Sequence, residues 1–123
     1  MNDYIGTMGI ITTFGNIKSD NKDEAIESSS SGALVHCIGQ SESVLECITW
    51  NGIKFTTESK DYRLLGIPNF YVGDRVYDPV KDRKGKIRFV FYHFERKEFY
   101  YQVDFDGKKS NRWFFDNELQ KAE

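Results

Sequence analysis

The stretch Tyr71–Leu119, YVGDRVYDPVKDRKGKIRFVFYHFERKEFYYQVDFDGKKSNRWFFDNEL, decides the fold. Gly73-Asp74 opens a turn and Arg75-Val76-Tyr77 reads as a short strand. Pro79 ends that strand, because proline cannot donate to a ladder. Lys81–Gly85 is charged and closes on glycine, so it reads as a loop. Ile87, Phe89 and Phe91 then alternate with Arg88, Val90 and Tyr92, which is the period of a strand. Glu95-Arg96-Lys97 is a polar break of turn length. Phe99, Tyr101, Val103 and Phe105 alternate with Tyr100, Gln102 and Asp104 in a second long strand. A link this short makes the two strands an antiparallel hairpin. Asp106-Gly107 is a hairpin-turn dipeptide, because both residues tolerate positive φ. Trp113-Phe114-Phe115 is the returning strand. Asp116–Leu119 reads as a short helical turn, with Leu119 packing back onto the sheet.

Four or five strands of this length bury no face as a flat sheet. Curling into a small barrel buries one and removes exposed edges. Fourteen of the nineteen aromatic residues lie from Phe70 onward, enough to fill such a core.

The order GDRVYDP, GKI, YYQVDFDG and a closing strand with a distal Leu resembles the SH3-like small barrels of the Tudor and KOW type. It is also similar to a group of short phage and Bacteroidetes proteins with a VGD-V-DP, G-I, V-F-DG pattern. The resemblance covers about fifty residues. It implies a barrel and a binding role. In Tudor-type modules an aromatic cage reads methylated side chains by cation–π attraction. The resemblance carries that cage onto Tyr77 and Phe105, and onto Trp50, which aligns with Phe105 in the first half. The match is incomplete: no second-strand aromatic stands near Lys86. KOW-type barrels bind RNA or ribosomal and polymerase surfaces through basic loops. The phage-like resemblance implies a mobile-element protein that inhibits a host factor.

The whole chain has 123 residues and a formal net charge of −2. That length suits one ordinary domain or two very small ones. Residues 1–68 hold five Lys and Arg against nine Asp and Glu, net −4; residues 69–123 hold twelve against ten, net +2. Any polyanion contact is therefore expected in the second half. No apolar run approaches the roughly 18 residues of a membrane span, and no signal peptide is visible after Met1. Cys37 and Cys47 make no disulfide framework and read as buried free thiols of a reducing, cytoplasmic compartment.

Before the anchor stretch the pattern is weaker. Met8–Phe14 reads as a strand. Residues 17–31 are acidic, Ser-rich and nearly free of large apolar side chains, and read as a mobile loop without a core, with a weak helical signal over Lys22–Ser28. Ala33–Ile38, Val44–Trp50 and Ile53–Thr57 read as strands, with the hairpin signal Asn51-Gly52 between the last two. Glu58–Leu65 reads as a helical turn, and Gly66–Asn69 as a junction.

The halves can be laid over each other. Gly9 aligns with Gly73, Gly32 with Gly85, Trp50-Asn51-Gly52 with Phe105-Asp106-Gly107, and Phe55-Thr56-Thr57 with Trp113-Phe114-Phe115. An internal repeat follows: an all-β chain of two SH3/Tudor-like barrels packed together, units 1–67 and 68–123, the first with an inserted loop.

No catalytic constellation emerges. His36 and Cys37 are adjacent in a strand and point to opposite faces. Two His and two Cys lack zinc spacing. The acidic residues Asp74, Asp78, Asp82, Asp104 and Asp106 are scattered over turns and strand ends. The expectation is a non-enzymatic binding protein without a cofactor, docking on a protein partner. The alternative is nucleic-acid binding by Lys81, Arg83, Lys84, Lys86 and Arg88 around the first loop of the second unit and Lys108, Lys109 and Arg112 after its Asp-Gly turn, beside exposed aromatics such as Tyr92 or Tyr100.

Overall fold

A computed structural model describes residues 3–110 and 112–122. The chain divides into two compact units, Met1–Ile67 and Pro68–Glu123, each a curled antiparallel sheet.

In the first unit the strands are β1 (Met8–Ile11), β2 (Leu34–Ser41), β3 (Val44–Ile48), β4 (Lys54–Glu58) and β5 (Tyr62–Gly66), in the spatial order β4-β3-β2-β1-β5. In the second they are β6 (Arg75–Asp78), β7 (Arg83–His93), β8 (Glu98–Phe105), β9 (Lys108–Lys109), β10 (Phe114–Phe115) and β11 (Gln120–Lys121), in the order β10-β8-β7-β6-β11, with β9 also on β8. The two orders are the same. Strand β4 of the first unit corresponds to β9 and β10 together, which Ser110–Trp113 separate. Each final strand follows one turn of 3-10 helix, Ser59–Asp61 or Asp116–Glu118.

The correspondence extends to single hydrogen bonds. The Gly6 amide donates to Cys37 O at 2.8 Å, and the Gly73 amide to Ile87 O at 2.8 Å. Cys37 N donates to Thr7 O at 3.0 Å, and Ile87 N to Asp74 O at 2.9 Å. Tyr4-Ile5-Gly6-Thr7 therefore matches Tyr71-Val72-Gly73-Asp74, and Gly6 rather than Gly9 is the partner of Gly73. Gly6 and Gly73 share a left-handed φ near 90°, which a turn here requires. The register breaks at the same place in both units, at Ile38 and at Arg88. A one-residue bulge bends its strand and increases the twist, which helps a short sheet to curl.

Several elements differ from the sequence reading. Arg83–Gly85 belong to β7, since Asp78 and Arg83 face each other across a turn of four residues. The bulge at Arg88 reverses the phase of β7, so Ile87 and Val90 are buried while Phe89 and Phe91 face outward. The helical turn read over Glu58–Leu65 is confined to Ser59–Asp61, and Tyr62–Gly66 form β5. Propensity missed it because its partner β1 lies some fifty residues earlier. Trp50 lies in the β3–β4 turn, so Thr49 is the residue equivalent to Phe105.

The largest correction concerns residues 17–31. Ile17 is 1% exposed, and the helix α1 (Lys22–Ser29) buries Ala25 and Ser29 completely. Ala25 and Ser29 lie four residues apart, on one helix face. Small side chains let that face come close to the sheet, so few large apolar residues are needed. Lys18 extends the sheet: its amide and carbonyl each pair with Thr56 at 2.9 Å, along the outer edge of β4. The segment is a docked strap, and Ile17 and Ala25 join Ile11, Val35, Cys37, Leu45, Cys47, Phe55 and Tyr62 in one core cluster.

The second unit buries Val76, Ile87, Val90, Phe99, Tyr101, Val103, Phe105, Phe114 and Leu119. The alternation read along β8 holds at every position. Among the described residues no helix is long and apolar enough to cross a membrane.

Candidate functional site

The outer face of β7, β8 and β10 carries a continuous group of aromatic rings. Phe91 meets Trp113 edge-on with centroids 4.4 Å apart, and Tyr100 meets Trp113 at 5.2 Å. Tyr100 stacks on Phe115 at 5.6 Å and lies 5.8 Å from Phe91. Phe89 extends the group beyond Phe91 at 5.8 Å. The Arg96 guanidinium lies 3.7 Å from the Phe115 centroid and is held there by Glu98 at 2.8 Å. Trp113 is 37% exposed, and Phe91, Tyr100 and Phe115 are half-buried.

Local sequence puts these rings there. Strand β8 alternates strictly, so burying Phe99, Tyr101 and Val103 turns Tyr100 outward. Phe114 is buried, so its neighbours Trp113 and Phe115 face away from the core. The bulge at Arg88 turns Phe91 to the same side, directly across from Tyr100.

The first unit serves as a control. The register places Ser41 where Phe91 stands, Val44 where Tyr100 stands, Thr56 where Trp113 stands and Glu58 where Phe115 stands. The same fold is thus built with one apolar and three polar residues at these positions. The aromatic face is a property of the second unit and not a requirement of the topology.

The residues named from sequence fall elsewhere. Phe105 is buried in the second unit, with the Arg83 guanidinium 3.8 Å from its ring. The Tyr77 hydroxyl donates to Asp82 Oδ1 at 2.6 Å, and that bond is the first cause of its raised pKa. No ring contact joins Tyr77 and Phe105 among the described residues. Trp50 is exposed at a turn. Tyr92 lies on the other side of β7 from Phe91, edge-on to Phe94 and Phe99.

The cations divide into two sets. Arg83 pairs with the buried Asp78 at 3.2 Å. Arg112 pairs with Glu118 and lies 4.3 Å from the Phe114 centroid. Arg88 and Lys108 are exposed, and the Lys109 side chain lies outside the described residues. Lys84 and Lys86 line a groove of about 440 Å³ with Arg75, but Asp104 and Asp106 line it too. Asp104 Oδ1 is buried there with no hydrogen-bond partner among the described residues. A phosphate entering the groove meets carboxylates as well as amines, so the field that would draw a polyanion is largely cancelled.

Titratable groups elsewhere serve the fold. The Tyr101 hydroxyl donates to Asp116; burial, then that bond, raises its pKa. Asp61 accepts Asn16 Nδ2 and Thr13 Oγ1, each at 2.7 Å, and these bonds hold its carboxyl below the ordinary range. Cys37 and Cys47 are free, buried and directly opposed on β2 and β3; burial pushes both thiols up. Among the described residues no group of three or more His, Cys, Asp or Glu is gathered for a metal.

Sequence reasoning missed Phe91, Trp113, Phe115 and Arg96 as a site. The signal was present in the repeat: four aromatics in one copy stand against Ser, Val, Thr and Glu in the other. It becomes legible only after the register is corrected. No family model, curated protein or solved structure matches the chain.

Proposed function

We propose that the chain is a non-enzymatic binding protein that docks on a protein partner through the outer aromatic face of its second unit. In this reading the two units are SH3-like barrels related to the Tudor and KOW type. The shared strand order and the 3-10 turn before each final strand support that relation.

The observation that carries the docking role is the contrast between equivalent positions. Where the first unit has Ser41, Thr56 and Glu58, the second exposes part of Phe91, Trp113 and Phe115 to water. This cluster of partly exposed aromatics has no counterpart in the first unit, and such clusters mark interaction surfaces. Aromatic and Arg side chains dominate binding energy at protein interfaces. The rim carries both signs, with Arg96 and Arg112 beside Glu98 and Glu118, which suits a protein surface better than a polyphosphate.

The test is capture from host lysate by the full chain, with and without nuclease, beside a Phe91→Ser/Tyr100→Ser variant. The reading predicts a captured protein that survives nuclease and is lost with the variant. Capture abolished by nuclease, or unchanged in the variant, overturns it. Tight, salt-sensitive binding of a random oligonucleotide, lost when Lys84 and Lys86 become Glu, would assign nucleic-acid binding instead.

A further inference from the structure

The repeat also shows what an outer sheet edge of this fold receives. In the first unit the edge strand β4 does not end the sheet. The strap crosses it, and Lys18 pairs through both its amide and its carbonyl with Thr56. The residue equivalent to Thr56 is Trp113. Its amide and carbonyl have no hydrogen-bond partner among the described residues. The reason is chain length. The strap of the first unit runs through residues 12–33, between β1 and β2. The equivalent link in the second unit, between β6 and β7, is the turn 79–82, which is too short to reach that edge.

We infer that the edge at Trp113 is a strand-addition site that takes an extended segment of the partner protein, paired through its backbone as Lys18 pairs with Thr56. The proposal rests on the protein-docking reading and specifies how the partner is held. An unpaired edge presents donors and acceptors to any extended chain. Main-chain bonds then supply affinity, and alternate side chains supply specificity. The outward side chains of an added segment meet Trp113, with Phe91, Tyr100 and Phe115 behind it, so an apolar residue is required there. In the first unit the corresponding outward neighbour is Thr56, next to a lysine. The edge and the aromatic face are thus one surface: the first fixes the direction of the segment, the second selects its side chains.

The experiment uses the full chain labelled with nitrogen-15 and a displayed library of random decapeptides as the probe. The best-selected peptide is synthesised in two forms, plain and with single backbone N-methyl groups placed along it in turn. The proposal predicts alternating apolar residues in the selected peptides. It predicts slowed hydrogen exchange at the Trp113 amide on binding. One N-methyl position should weaken binding at least tenfold while its neighbours do not, because only alternate residues of an added strand face the edge. Binding that shifts Tyr100 and Phe91 but leaves the Trp113 amide unprotected overturns strand addition and leaves the docking reading standing. Concentration-dependent self-association that protects the same amide without peptide makes a second copy the occupant and overturns the proposal. Failure to select any peptide, with partner capture still sensitive to Phe91→Ser/Tyr100→Ser, overturns the extended-segment mode alone. Loss of both overturns the docking reading as well.

Discussion

Gly9 faces Val35 across the β1–β2 ladder, and in the second unit the same two positions are held by Val76 and Gly85, with glycine and valine exchanged between the strands. One member of each pair must lack a side chain, because a third strand passes too close. A Cβ on Gly9 would lie 2.6 Å from the Arg63 carbonyl oxygen of β5. A Cβ on Gly85 would lie 2.6 Å from the Asp104 carbonyl oxygen and 2.7 Å from Val103 Cγ1 of β8. The two units meet the same constraint from opposite strands.

Gly85→Ala is therefore expected to destabilise the second unit by about 1–3 kcal/mol, the usual cost of overpacking a filled interior. The Asp104 carbonyl oxygen belongs to the backbone, so rotating the Val103 and Phe105 side chains would not relieve that contact. Adding Val76→Gly should not rescue the variant, since the obstruction is β8 and not Val76. Denaturant unfolding followed by Trp113 fluorescence in a Trp50→Phe background checks both. A change below about 0.5 kcal/mol, ordinary for a surface site, would contradict the close approach.

Ile17→Ala tests the strap. Ile17 is almost fully buried although it sits in a polar, Ser-rich segment. Truncating a buried Ile leaves a cavity and costs about 2–5 kcal/mol. Lys18→Ala, which keeps the backbone pairing with Thr56, should cost far less. Thermal unfolding of the two variants separates a docked strap from a free loop, for which both changes would be neutral.

Stability should fall in alkali through Tyr101. Its hydroxyl is buried and donates to Asp116, so the folded state holds the neutral form and the pKa lies above the ordinary value. In the unfolded chain a tyrosine ionises near pH ~10. The stabilisation is complete below that pH and is lost as pH rises toward the folded value. Tyr101→Phe should start less stable at neutral pH and lose less between pH 10 and 12. An identical alkaline loss in the variant would exclude Tyr101 as the group.

Phe91→Ser and Tyr100→Ser should leave thermal stability close to wild type, because Ser41 and Val44 hold the equivalent positions in the first unit. Fluorescence-detected melting and partner capture on the same samples decide the matter. A large loss of stability would make the aromatic face structural.

The second unit was largely legible because β7 and β8 are long and joined by a short turn. Local alternation in β8 fixed which residues enter the core, and Asp106-Gly107 adopts the two positive φ angles its dipeptide favours. What stayed hidden depends on distant partners. Strand β5 is defined by pairing with β1, β11 by pairing with β6, and Ile17 by a socket that the strap's own composition does not announce. The bulge at Arg88 left no mark in the pattern, yet it decides that Val90 is core and Phe91 is surface. Of the residues that the family resemblance points to, Tyr77 is hydrogen-bonded to Asp82 and Phe105 is buried. The face formed by Phe91, Tyr100, Trp113 and Phe115 needs the register of three strands at once.

The unequal links between the first two strands of each unit also set an order in time. Strands β6 and β7 close across the turn 79–82, and β7 and β8 across a similarly short one, so a three-stranded nucleus forms from neighbours in sequence. Hairpins of this kind close in microseconds. Strands β1 and β2 must first bring together the ends of residues 12–33, at an entropic cost that rises with the length of the loop. Strands β6 and β7 should acquire protected amides before β1 does during refolding, and pulse-labelled hydrogen exchange would show Val76 and Ile87 protected before Gly9. The strap that completes the first sheet is also what delays the joining of β1 to it.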